Sequence, residues 1–289
     1  MSDLDSKNRK ILLSFQKNEI TEYHVYLSLA KSVKDKNKEV LQHIANDELR
    51  HYDIWKNYTK TEIKPSKWLI FKYTILARIL GLTFAIKLME KGEKGAQASY
   101  NDVENIFPEA KQIMTEEHEH ERELIDMIKE KKLDYMGSIV LGLNDALVEL
   151  TGALAGLSFA LQNNRLVALA GLITGISASF SMAASEYLSK KHEGDKNAFK
   201  ASVYTGIAYV FTVLFLVFPF LIMTDYRWSL GWTLINAIIV IFVFTYYNAI
   251  VKSEKFRPIF LEMATISLSV AFISFLFGIG LKMWLGVEI

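Results

Sequence analysis

The chain has 289 residues, enough for two domains, and a formal net charge of +1, which leaves no electrostatic footprint for nucleic acid. It has no cysteine, which excludes disulfides, thiolate metal sites and cysteine redox chemistry. Hydrophobic residues make up 51% of it, but unevenly: residues 1–135 are dense in Lys, Glu and Asp, while 136–289 carry long apolar runs with few charges. The composition therefore predicts a soluble all-α domain over 1–135 and a membrane domain over 136–289.

A first helix is predicted over 8–33. Phe15, Glu19, Glu22, Tyr26 and Leu29 fall on one stripe, apolar except where the acids sit. A second follows over about 37–60, its stripe being Ile44, Glu48, His51, Trp55 and Tyr58. Pro65 ends that segment. Residues 67–89 are apolar for long enough to span a bilayer but are interrupted by Lys72, Arg78 and Lys87. This fits either a helix lying on a membrane surface or a bundle helix with an exposed basic face. The next predicted helix overlaps the end of that run and carries Ile86, Glu90, Glu93, Gln97 and Tyr100. Another, over about 109–132 and opened by Pro108, carries Ile113, Glu117, His120 and Leu124.

From Gly137 five spans are expected, over 138–160, 166–188, 201–223, 231–251 and 258–284. With the first domain on the inside, Lys190, Lys191, Lys196, Lys200, Lys252, Lys255 and Arg257 lie in inner connections. Arg165, Arg227 and Lys282 lie on the other side. That asymmetry places the first domain in the cytoplasm and the C-terminus on the far side. The polar N-terminus, unlike a signal peptide, agrees.

The chemistry-bearing pattern is a repeated Glu-x-x-His: Glu48 with His51, and Glu117 with His120. A spacing of three puts both members on one helix face. With acids from two more helices, such pairs build the di-metal site of a ferritin-like four-helix bundle. Glu19, Glu48, His51, Glu90, Glu93, Glu117 and His120 are the candidate ligands. Oxygen and imidazole donors without sulfur suit iron or manganese. Against this stands the acidic character of the last helix, where Glu116, Glu119, Glu121 and Glu123 blur the register.

In the membrane half, Asp145 and Glu149 share one face of the first span, and Met182 and Glu186 one face of the second. Acids within spans are costly and mark ion or proton pathways. Glu186 and Glu262 lie toward the cytoplasmic ends, where an interfacial anchor is the competing reading. Gly152-x-x-x-Gly156 and Gly171-x-x-x-Gly175 allow close helix packing and are compatible with a dimer interface.

These residues carry two resemblances. The order Glu19, Glu48/His51, Glu90/Glu93, Glu117/His120 resembles the rubrerythrin branch of the ferritin-like superfamily, without its cysteine-rich module. The resemblance implies a di-iron centre that meets oxygen or peroxide. Gly142-Leu143-Asn144-Asp145-Ala146 and Ser181-Met182-Ala183-Ala184-Ser185-Glu186-Tyr187 resemble the first- and second-span motifs of the vacuolar iron transporter family. That family implies five spans, a homodimer and exchange of Fe²⁺ or Mn²⁺ for protons, with Asp145 as a metal and proton site and Met182 as a pathway ligand. Two departures are that Thr174 stands where plant members carry a Glu, and that the connection 189–200 is short. The fusion resembles prokaryotic membrane-bound ferritins, which export iron.

The expected function is export of divalent iron or manganese against protons, with a cytoplasmic domain that captures, oxidises or senses the metal. The alternative is a membrane-anchored ferroxidase or peroxidase whose spans serve only as an anchor.

Overall fold

A computed structural model describes residues 6–34, 36–103, 107–127 and 135–285, without the side chains of 93–103, 121, 125–127, 136 and 285. Among the described residues the secondary structure is helical throughout, with no strand. The chain divides into two compact units, residues 1–130 and 131–289.

The first unit holds α1 (Ser6–Ala30), α2 (Lys36–Thr59), α3 (Lys67–Leu80), α4 (Leu82–Val103) and α5 (Pro108–Met127). α1 packs on α2, α2 on α5, α5 on α4 and α4 on α1, so four helices enclose a common interior. The apolar stripes supply its two ends. Val25, Leu29, Leu41, Ile44, Ile86 and Leu124 form one cluster. Leu12, Phe15, Trp55, Phe107 and Ile113 form the other. On α1, α2 and α5 the polar residues of each stripe fall in sequence between those two clusters, which puts them in a layer with apolar caps above and below.

The run 67–89 is one apolar stretch in sequence but two helices in the structure. α3 starts where Ser66 Oγ accepts the Leu69 N–H, and ends at Gly81, whose φ of 98° favours a residue without a Cβ. α4 begins immediately after. α3 packs on α1 and α4 and adds a fifth helix outside the ring of four.

The second unit holds α6 (Met136–Leu161), α7 (Asn164–His192), α8 (Ala198–Ile222), α9 (Tyr226–Val251) and α10 (Phe256–Leu285). All five are long and apolar enough to cross a membrane, which supports an integral membrane protein. Short connections hold capping residues: Asn163 Oδ1 accepts from the N–H groups of Arg165 and Leu166, and Asp225 Oδ1 from that of Arg227. α6 packs against each of the other four.

The glycine pairs explain how the helices come so close. A Cβ on Gly152 would sit 2.9 Å from Val270 Cγ1, and one on Gly156 2.9 Å from the Ser274 carbonyl, both on α10. On α7, a Cβ on Gly171 would sit 2.7 Å from Leu154 Cδ2, and one on Gly175 2.6 Å from Val213 Cγ1. These small-residue stripes are spent on packing within one chain, which removes them as pointers to a dimer interface.

Candidate functional site

In the first unit Glu19 (α1), Glu48 and His51 (α2) and Glu117 (α5) offer one ligand atom each, all within 4.8 Å of one another. His51 Nδ1 lies 3.3 Å from Glu117 Oε1, 3.6 Å from Glu48 Oε2 and 3.7 Å from Glu19 Oε2. His120 Nδ1 faces the same acids, 3.4 Å from Glu48 Oε1 and 3.9 Å from Glu117 Oε2. Glu19, Glu48, His51 and His120 are all buried. Trp55 Nε1 donates to Glu19 Oε1 at 3.3 Å and fixes that carboxylate from below.

Two of these carboxyls, Glu48 and Glu117, resist ionisation. Burial pushes the Glu48 carboxyl up to about 8, the Glu19 charge adding to the effect and His51 opposing it. Burial and the Glu48 charge push Glu117 up to about 7. Burial works against a charge on His51, but Glu117, Glu19 and Glu48 outweigh it and raise its pKa well above the usual imidazole range.

The donor chemistry fits a metal ion. Glu48 Oε2, His51 Nδ1 and His120 Nδ1 are buried and have no hydrogen-bond partner, although they point toward one another's acids. A cation among them would satisfy these atoms together. Without one, uncompensated charges in such a place cost several kcal/mol each, on the order of a whole domain's margin. Three carboxylates and an imidazole suit a divalent ion of the iron or manganese type rather than a soft one.

Of the seven residues expected in this site, the four-donor group contains Glu19, Glu48, His51 and Glu117, and His120 touches two of them. Glu90 is buried but is not a member of that group; Lys87 Nζ lies 3.0 Å from its Oε2. The side chain of Glu93 lies outside the described residues. Glu22 is half-buried, and His118 is exposed.

Sequence reasoning missed three participants. Each histidine turns its second ring nitrogen to an acid from the other helix. His51 Nε2 is 2.7 Å from Glu116 Oε2, and His120 Nε2 is 3.2 Å from Asp47 Oδ2. Arg50 joins the two acids, with Nη2 2.8 Å from Asp47 Oδ1 and 3.0 Å from Glu116 Oε2. Although burial opposes ionisation of both acids, Arg50 with His120 holds Asp47 below its ordinary value, and His51 with Arg50 does so for Glu116. The arrangement orients both imidazoles through crossed carboxylates. Its signal was present: an acid stands directly before each Glu-x-x-His, as Asp47-Glu48 and Glu116-Glu117. Glu116, which looked like noise in the register, is thus a partner of His51.

In the second unit Asp145 is half-buried on α6, and Glu149, one turn on, is exposed in the single chain. Tyr209 on α8 is buried and donates its hydroxyl to Glu149 Oε2 at 2.7 Å. Met182 packs against the apolar core of this unit. Glu186 is buried on α7 and accepts a hydrogen bond from Ser138 on α6. It is therefore held inside the protein and does not reach out as an interfacial anchor. The Ser138 carbonyl in turn accepts from Thr205 Oγ1 at 3.0 Å, so α6, α7 and α8 meet in one polar contact. Glu262 is exposed on α10.

Residues 136–198 match the family model described as VIT family. The matched stretch contains Asp145, Glu149, Met182 and Glu186. No curated protein and no solved structure matches the chain.

Proposed function

We propose that the protein is a membrane transporter that exports divalent iron or manganese in exchange for protons, with the N-terminal unit, a ferritin-like bundle on the cytoplasmic side, as its metal-capturing module. The observation that carries this is the family match over 136–198, because that stretch holds both pairs of candidate pathway residues on helices of membrane length.

Carboxylates suit such exchange because each binds either a proton or a metal ion, and the two compete. Asp145 and Glu149 supply two such groups on one face of α6. Tyr209 holds one oxygen of Glu149 and leaves the other available. Met182 adds a soft donor on α7, and Glu186 a further acid at the N-terminal end of α6. The exposure of Glu149 in the single chain supports a homodimer, since an acid in the middle of a span is poorly tolerated by lipid and needs protein or water against it.

For the N-terminal unit, Glu19, Glu48, His51, Glu117 and His120 would hold the metal, with Glu90 and Glu93 as further acids from α4. Iron bound there would supply one-electron chemistry toward oxygen or peroxide. The chain's own residues contribute a dry, preformed set of donors, aimed by Asp47, Glu116, Arg50 and Trp55.

The test is flux. Purified protein in liposomes should move Fe²⁺ and Mn²⁺ in the direction opposite to an imposed proton gradient, with the counter-movement of protons reported by a trapped pH dye. Absence of metal flux, together with ferroxidase turnover by the same preparation, would replace the transporter with an anchored oxidase.

A further inference from the structure

α3 has one face that the first unit uses and one that it does not. Ile70, Tyr73 and Ala77 pack against the core of α1, α2 and α4, and the hydroxyls of Thr74 and Ser28 lie 2.9 Å apart. On the other side Trp68 is 68% exposed, Phe71 57% and Ile79 70%. With half-buried Ile75 they form a stripe at spacings of three, four and four, one face of a helix. Among the described residues of the first unit, these three are the exposed large apolar side chains. Among the described residues, the unit thus covers its large hydrophobics everywhere except along one 14-residue helix.

The charges around that stripe have one sign. From Ile63 to Met89 the chain has no Asp or Glu, but it has Lys64, Lys67, Lys72, Arg78 and Lys87. Lys67 and Arg78 are exposed at the two ends of α3, and Lys72 borders the stripe with its ammonium 5.0 Å from the Tyr73 ring centre. Trp and Phe beside Lys and Arg is the composition that settles at the boundary between lipid headgroups and acyl chains. A second copy of this face would be a poor cover, because it would bring two sets of cations together with no acid on α3 to pair with them. A bilayer is at hand, since the same chain carries five helices of membrane length.

We propose that α3 is a membrane-surface helix: Trp68, Phe71, Ile75 and Ile79 enter the headgroup layer of an anionic bilayer, and Lys67, Lys72 and Arg78 pair with lipid phosphates. The helix then anchors the N-terminal unit to lipid independently of the spans, whatever the spans transport.

The native chain has no cysteine, so single thiols report cleanly. Trp68→Cys, Phe71→Cys and Ile79→Cys would each carry an environment-sensitive fluorophore, with Asp53→Cys on the exposed side of α2 as the reference. The full chain is placed in nanodiscs of phosphatidylcholine, with or without phosphatidylglycerol. The three α3 labels should be quenched several-fold more by nitroxide-bearing lipid than the Asp53 label, and correspondingly less by aqueous iodide. Adding phosphatidylglycerol should strengthen the difference, and Lys67→Gln/Lys72→Gln/Arg78→Gln should weaken it at the Phe71 label. α3 labels as open to iodide as the Asp53 label would overturn the proposal. So would labels shielded from both quenchers together with disulfides between copies in the unlabelled cysteine variants, which would make the face a protein interface.

Discussion

The two units treat their acids in opposite ways. In the first, Glu19, Glu48 and Glu117 converge from three helices onto buried His51, and the acids behind the imidazoles are themselves tied by Arg50. That cluster is closed within one chain. In the second, Asp145 and Glu149 sit side by side on a single helix, Asp145 half-buried and Glu149 exposed in the single chain, with Tyr209 donating to Glu149. A closed set of donors suits holding an ion, and an open pair suits passing one on. Holding requires every donor to be aimed before the ion arrives; passing requires that no ion be satisfied completely.

The sharpest way to break that contrast is to remove one acid from each. Asp145→Ala should reduce metal flux in proteoliposomes to background while metal still binds to the first unit. Flux unchanged in that variant would remove Asp145 from the pathway. Glu48→Ala with His51→Ala should do the reverse, lowering metal affinity of the first unit by about 100-fold or more while the spans stay folded, as titration with Mn²⁺ followed by electron paramagnetic resonance would read. This is larger than an outer acid's effect because it deletes donors rather than their orientation. Asp47→Asn or Glu116→Gln should cost about 10- to 100-fold in the same titration, the usual range for a residue that aims a ligand. No change in either would make the crossed carboxylates incidental to metal binding.

The smallest effect is one of pH. Glu48 and Glu117, raised by burial from 4.5 to about 8 and about 7, must lose their protons to bind a cation. Metal affinity should therefore rise between pH 6 and 8, by up to about tenfold per unit for each proton displaced. The metal-free fold should run the other way. A carboxyl with a raised folded-state pKa contributes stability that is full below its ordinary value and is lost as pH rises through the folded value. The unfolding temperature of the metal-free protein should thus fall from pH 5 to pH 8, and Mn²⁺ should restore it most at pH 8. A flat profile would mean that the acids are already compensated without metal.

Much of this was legible in the sequence, because helical periodicity and apolar run length are local properties. The stripes on α1, α2 and α5 gave the buried face and the polar layer within it, and the five long apolar runs gave the spans. The break at Gly81 was not legible: the run 67–89 has no change of polarity there, only a residue able to take a positive φ. Tyr209 was invisible for another reason. It stands among other aromatic residues of α8, and only the packing of α8 on α6 brings its hydroxyl to Glu149, sixty positions away. Gly152 and Gly156 were read correctly as close-packing residues, but a spacing cannot say which helix will fill the groove.

The filling of that groove sets what the membrane unit can do mechanically. Gly156 on α6 and Gly278 on α10 lie backbone to backbone, and a Cβ on Gly278 would collide with the main chain of Gly156. A side chain at either position would force α6 and α10 apart, so the closeness of this crossing rests on two residues without a Cβ. Any motion that keeps the crossing intact carries α6, and with it Asp145 and Glu149, together with α10.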